Sequence, residues 1–274
     1  MKKEFYNFHR IKFTADLKKI DHFEILNRAF NLNLFDIEKD EKDLLLNFIY
    51  SIKEKAKHIK SQIYQDVFAD FFISNIHNET FLEFGATDGL DLSNTYLLEN
   101  NSNWKGVLGE PDPQWHQKLI KNRPDSKIFT ECVWKNSNEE VEFLSSDNGV
   151  LSTISSFRYS DKEMYDNTQL RNKSFKMIKL KTISLNDLIK REFNKICPSY
   201  ISVDTEGSEF EILNNFDFKK YKPIIFTVEH NYTSNEKKID RLMLSNNYKR
   251  IFRKITAFDA WYVLIDALDL KLVK

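Results

Sequence analysis

Residues 81–99 read FLEFGATDGLDLSNTYLLE: a short apolar run, a turn holding two glycines, then a stretch of helical texture. The chain carries 6 glycines in 274 residues, and Gly85 and Gly89 bracket Asp88 within this one turn. Glycine is placed where the backbone must turn sharply or let another group approach with no Cβ between them. The run before the turn has the length and aromatic content of a strand, and it carries one acid, Glu83. A strand, a tight turn and a helix form the repeating unit of a layered α/β sheet.

The same alternation continues outward. WKGVLGE precedes PQWHQKLIKN, FKMIKLKTI precedes SLNDLIKREF, YISVDTEG precedes SEFEILNNF, and KPIIFTVEHN precedes EKKIDRLMLSNN. SKIFTECVW reads as one further strand. The pattern predicts an α/β domain with a mostly parallel central sheet. YKRIFRKI and DAWYVLID follow with no helix between them, which predicts an antiparallel hairpin, and so an antiparallel edge strand, at one edge. Residues 145–175 are rich in Ser, Asn and Asp without a period, the texture of a working loop or insertion. Before residue 78 there is neither Gly nor Pro, and LKKIDHFEILNRAFNL and DEKDLLLNFIYSIKEKAKHIK carry apolar residues near a helical period. The chain is therefore read as a helical extension over 1–60, serving as lid, arm or oligomerisation element, followed by one domain over 61–274.

Composition excludes several classes. Lys and Arg number 41 and balance 41 Asp and Glu, so no basic surplus argues for nucleic acid. Hydrophobic residues make up 41%, enough to build a core. Cys132 and Cys197 have no CxxC spacing, which argues against a zinc site and for a reducing, cytoplasmic setting. The segment MKKEFYNFHRIKF lacks the apolar run of a signal peptide. No stretch approaches the roughly 20 apolar residues of a membrane span.

In an open α/β sheet, ligands bind beyond the carboxyl ends of the strands. The turn after TFLEF lies at such an end. Its pattern is not the G-x-G-x-x-G of dinucleotide sites, and its acids, Glu83 and Asp88, would repel a pyrophosphate. They suit a ligand carrying sulfonium and ammonium groups, which favours S-adenosylmethionine (SAM) over NAD. GVLGEP ends its strand in Glu110, whose two carboxylate oxygens are apt for both hydroxyls of a ribose. In YISVDTEGSEFEIL, Asp204 and Glu206 alternate at a strand end and can point to one face, while Glu209 opens a helix. Crowded acids call for a proton, a donor or a cation. PIIFTVEHN ends in Glu229, His230 and Asn231, and His230 reads either as a general base or as a packed, hydrogen-bonded histidine.

These pieces in this order, together with SQIYQDVF at 61–68, WKGVLGEPDP at 104–113 and KTISLNDLI at 181–189, resemble the FkbM family of SAM-dependent methyltransferases. The resemblance spans roughly residues 61–265. It implies a class I, Rossmann-like methyltransferase sandwich with a seven-stranded sheet, SAM as methyl donor, and O-methylation of a sugar or other small hydroxylated metabolite in glycan or natural-product assembly. By that match Glu83, Gly85, Ala86 and Gly89 shape the SAM pocket and Glu110 holds the ribose. Asp88, Ser93 and Asn94 lie beside the methionine end or the substrate. Asp204, Glu206 and Glu209 line the catalytic side, with Glu209 counted toward the cofactor. The chain departs from many members in having Glu83 and ATDG where they carry Asp and a small Asn-containing turn.

Methyl transfer to a hydroxyl requires alignment and removal of a proton. Asp204 or His230 is expected to take it, with Glu206 orienting. Asp204, Glu206 and Glu229 offer an oxygen-only Mg²⁺ site. The acceptor implied is a small molecule, a sugar or nucleotide-activated sugar. Lys121, Arg123, Arg158 and Arg171 are candidates for a diphosphate clamp. Rival readings are an N-methyltransferase acting on an amine or amide, a nicotinamide-dependent sugar oxidoreductase or epimerase, and a non-catalytic protein in which the α/β unit serves as a scaffold. The second lacks its third glycine and a Y-x-x-x-K pair, and the set of acids at several strand ends argues against the third.

Overall fold

The structure, a computed structural model, describes residues 2–6, 12–16, 39–73, 79–146, 152–154 and 175–272. In chain order its elements are β1 (Lys2–Tyr6), β2 (Lys12–Asp16), α1 (Lys39–Lys55), α2 (Gln65–Ile73), β3 (Thr80–Phe84), α3 (Tyr96–Ser102) and β4 (Lys105–Gly109). There follow α4 (His116–Asn122), β5 (Lys127–Phe129), β6 (Cys132–Trp134), β7 (Glu140–Ser146), β8 (Thr153–Ile154), β9 (Phe175–Ser184) and α5 (Leu185–Glu192). The last are β10 (Tyr200–Val203), α6 (Glu209–Asn214), β11 (Ile225–Glu229), α7 (Asn235–Ser245), β12 (Tyr248–Ile251), β13 (Asp259–Leu264) and α8 (Ile265–Leu272).

The main sheet runs in the order β12-β13-β11-β10-β3-β4-β5. Neighbours from β11 to β5 pair in parallel, and β13 pairs antiparallel with both β11 and β12. The hairpin of β12 and β13 thus forms one edge of the sheet, with β12 outermost and β13 antiparallel to both of its neighbours. β12 leaves a gap of one strand beside β11, and β13 turns back to fill it. Alternate residues on each strand feed two cores, as the period of a strand requires. Phe81, Tyr200, Ile225 and Trp261 pack with α1, α2 and α3, while Leu82, Ile201, Phe226 and Tyr262 pack with α5, α6 and α7. This is the doubly covered, mostly parallel sheet that the alternation predicts.

SKIFTECVW does not form one strand. It divides after Phe129, and β6 leaves the main sheet to pair with β9 in a four-stranded sheet ordered β6-β9-β7-β8. That sheet takes up both ends of the segment read as an insertion over 145–175. Residues 147–151 and 155–174, with the clamp candidates Arg158 and Arg171, lie outside the described residues.

Near the N-terminus the helical reading holds for α1, but β1 and β2 form an antiparallel pair with Phe5 and Phe13 in register. Residues 17–38, where LKKIDHFEILNRAFNL reads as a helix, lie outside the described residues. Helix α1 packs into the main core. Phe48 stacks on Phe252 with ring centroids 5.2 Å apart and meets Trp261 edge-on at 5.8 Å. Glu41 accepts the Phe252 N–H at 2.7 Å. Among the described residues no helix is long and apolar enough to cross a membrane.

Candidate active site

At the C-terminal end of β3 the chain winds tightly. Gly85, Thr87, Gly89 and Leu92 all take positive φ, at 89°, 46°, 73° and 66°. Gly85 is required by its neighbour: a Cβ there would lie 2.0 Å from the Asp204 carbonyl oxygen at the end of β10. The expectation that Gly89 opens room for a ligand is corrected, because its missing Cβ would meet Leu119 Cδ1 at 2.5 Å and Arg123 Cγ at 2.7 Å. Gly89 lets α4 press against the turn. Ala86 is buried, and its N–H reaches the Gly109 carbonyl at 3.0 Å. Asp88 caps the turn through Oδ1, which accepts the N–H groups of Leu90 and Asp91, each at 2.9 Å.

Glu83 points under this turn and is 3% exposed. It accepts from the Asn94 N–H at 2.8 Å, from the Ser93 hydroxyl at 3.1 Å and from the Thr95 hydroxyl. Burial raises its pKa, with Arg123 as the main opposing influence. The acid thus braces the turn from below. Asn94 donates to Ser202 Oγ at 3.0 Å, and its Oδ1 is buried without a hydrogen-bond partner.

Glu110 ends up beside the same turn. Its Oε2 accepts the Thr87 N–H at 2.8 Å and its Oε1 the Asp112 N–H at 2.7 Å. Each carboxylate oxygen has a second lone pair, so the pair can still take a diol. Burial pushes its pKa up to about 8. The side chain is therefore adjacent to the turn after β3, as a ribose-binding role requires.

The second half of the site lies at the ends of β10 and β11. Carboxylate oxygens of Asp204, Glu206 and Glu229 fall within 4.8 Å of one another. Glu229 pairs in register with Asp259 across the antiparallel β11–β13 ladder, which puts both side chains on one face. Asp259 is buried and accepts from Gln65 Nε2 at 2.9 Å. Burial raises the pKa of Asp204 well above the usual carboxylate range, and Glu206, Asp259 and Glu209 push it further. Glu229 is raised for the same reasons, burial first and Asp204 next, while burial lifts Asp259 to about 7. Asp204 and Glu229 are close enough to share a proton. Glu229 Oε2 is buried with no hydrogen-bond partner.

Glu209 has a different task from the one expected. Its Oε1 accepts the N–H groups of Thr205 and Gly207 and the Thr205 hydroxyl, at 3.0, 2.9 and 3.0 Å. It holds the turn that carries Glu206, whose φ is 59°. From the accessory sheet, Thr153 donates to the Glu206 carbonyl at 3.0 Å, and Ser152 donates to Asp112 at 3.0 Å.

His230 does not fit the role of base. Its ring is 3% exposed, Nδ1 accepts the Tyr232 N–H at 3.0 Å, and Nε2 lies 3.2 Å from Arg250 Nη2. Burial, reinforced by Arg250 against the pull of Glu236, drops its pKa to about 4. It is the packed, hydrogen-bonded histidine of the two readings. Arg123 likewise cannot clamp a solvent-side diphosphate, being 1% exposed.

Sequence reasoning missed Asp259 and Gln65. Asp259 opens DAWYVLID, so an acid at a strand's start signalled it, but only the antiparallel register brings it to the rim. Both cysteines are free, and burial lifts each thiol to about 12, as befits inert packed side chains.

No curated protein matches the chain. Among solved structures, the chain is matched to the Precorrin-6y C5,15-methyltransferase of Geobacter metallireducens GS-15, at 8% identity and TM-score 0.39, covering 76% of this chain and 89% of that one. A putative caffeoyl-CoA O-methyltransferase from Staphylococcus aureus matches at 10% identity and TM-score 0.38, covering 86% and 98%. The N-terminal domain of human METTL16, in complex with SAH, matches at 10% identity and TM-score 0.39, covering 87% and 92%. Residues 83–262, well over half of the chain, match the family described as the Methyltransferase FkbM domain. They run from the acid beneath the glycine turn to β13, and on that match the chain belongs to the FkbM methyltransferase family and is a SAM-dependent methyltransferase.

Proposed function

We propose that the enzyme methylates a hydroxyl of a sugar or nucleotide-activated sugar, with Asp204 as the base. One observation carries this reading: the half-buried Asp204 and the buried Glu229, both with raised pKa values, converge at the ends of β10 and β11, beside the turn after β3. A hydroxyl is a poor acid and needs a strong acceptor at hydrogen-bond distance. A carboxylate whose pKa is lifted by burial is a better base than an exposed one.

In this account Glu110 holds the ribose diol through its two remaining lone pairs. The buried acceptors Asn94 Oδ1 and Glu229 Oε2 suit a ligand rich in donors and positive charge. SAM supplies an electrophilic methyl group whose leaving partner is a neutral thioether. Asp204 receives the hydroxyl proton and can share it with Glu229, while Glu206 orients the acceptor. Asp204, Glu206 and Glu229 also fit a divalent cation, since they offer hard oxygen ligands and one of them has an orphaned buried oxygen. Mg²⁺ held there would lower the pKa of the acceptor hydroxyl.

The test is incubation of the protein with methyl-labelled SAM and a panel of nucleotide-sugars, free sugars and amines. Label on a sugar oxygen supports the reading. The acid-rich rim would equally attract an ammonium, and label on nitrogen alone would replace the proposal with amine methylation.

A further inference from the structure

We infer that Arg123, buried behind the turn after β3, is a positioning residue that sets affinity for SAM without touching it. The inference rests on the reading that this turn receives the cofactor. Arg123 follows α4, and its guanidinium lies against the rings of Phe81 and Tyr96, 5.5 and 5.8 Å from their centroids. Nη1 donates to the Gly89 carbonyl at 3.2 Å and to Ser93 Oγ at 3.1 Å. Nη2 donates to Thr95 Oγ1 at 3.2 Å, and the Nε edge pairs with Glu99.

These contacts close a ring. The Glu83 carboxylate is 4.0 Å from Nη1, too far for a direct hydrogen bond. The hydroxyls of Ser93 and Thr95 fill the gap: each donates to Glu83 and accepts from Arg123. The carboxylate, two hydroxyls and guanidinium thus fix both sides of residues 93–95. Between them, the Asn94 N–H is held by Glu83 Oε1 and its side chain by Ser202. The outcome is a buried acceptor, Asn94 Oδ1, one residue short of the ends of β3 and β10 and with no partner in the protein. The ammonium of SAM is a donor of the right kind. A lysine at 123 would keep the charge beside Glu99 but lose the planar fork that reaches Gly89, Ser93 and Thr95 together.

Calorimetric titration of SAM into the full chain, below each variant's melting temperature, tests this. Arg123→Lys should weaken binding about tenfold, the scale of one or two lost hydrogen bonds. Leu188→Ala, a buried truncation in the opposite core, should lower the melting temperature and leave SAM affinity unchanged. Because the ring acts as a unit, Arg123→Lys combined with Ser93→Ala should bind no more weakly than the weaker single variant. If Arg123→Lys does not fold, Ser93→Ala alone should show the loss and Thr95→Ser, which keeps the hydroxyl, should not. Wild-type affinity in Arg123→Lys, or an equal loss in Leu188→Ala, overturns the inference. A wild-type chain that binds no SAM would instead remove the reading beneath it.

Discussion

Gly85 and Asp204 sit so close that a single methyl group on the glycine would lie 2.0 Å from the aspartate carbonyl oxygen. The two strand ends that meet there, of β3 and β10, carry the two halves of the site. With φ at 89°, the position also resists any L side chain. Gly85→Ala is expected to cost about 1–3 kcal/mol from overpacking and backbone strain. It should also displace the turn enough to abolish measurable SAM binding. Thermal denaturation and calorimetry on the same sample check both.

Glu110 should impose a pH dependence on the ligand-free protein. Its folded pKa, about 8, lies above the unfolded value of 4.5, so the folded state holds the extra proton between them. The associated stability is fully present below the unfolded value and is lost as pH rises through 8. Glu110→Gln should flatten this part of the stability profile, measured by denaturant unfolding between pH 5 and 9, and should weaken SAM binding. An unchanged profile would show that the burial of Glu110 is not felt in solution.

Asp204 and His230 separate the two candidate bases. Asp204→Asn should reduce turnover by about 10²–10⁴-fold, the usual worth of a general base. His230→Gln should lower the melting temperature by disturbing the Tyr232 and Arg250 contacts, with a much smaller effect on kcat. The reverse ranking would return the histidine to the centre of the chemistry.

Chelation addresses the cation. Protein treated with EDTA should lose activity and regain it with Mg²⁺, and Glu229→Gln should raise the Mg²⁺ concentration needed. Full activity after chelation, with no metal added, removes the ion from the mechanism and leaves the carboxylates to act alone.

Helix α1 belongs energetically to the main core. Phe48→Ala should destabilise by about 3–5 kcal/mol, the range for a buried aromatic. SAM affinity, measured below the transition, should stay unchanged. Parallel loss of binding and stability would mean that α1 shapes the site as well as the core.

Much of this arrangement was legible in the sequence. The glycine turn after an apolar run, Glu110 at the end of the next, and Asp204 beyond a third are local patterns, and local patterns survive folding. Partners that depend on register were not legible. Asp259 joins Glu229 only because β13 runs backward beside β11, and period alone does not say which neighbour a strand takes. Arg123 reads as a surface cation because arginine is seldom fully buried. Its burial became visible only when Glu83, Glu99 and the missing Cβ of Gly89 were seen around it. The accessory sheet escaped because β7 and β8 are separated from β9 by a stretch with no periodic signal.

The late insertion of β13 has a consequence for how the molecule matures. Until residues 259–264 emerge and dock, β11 and β12 each present a bare row of amides and carbonyls to solvent or to another chain. A nascent or truncated protein would be sticky along that slot, and Asp259 would be missing from beside Glu229 as well. Closing the sheet and completing the cluster of acids thus rest on the same strand, so a chain lacking β13 would lose both.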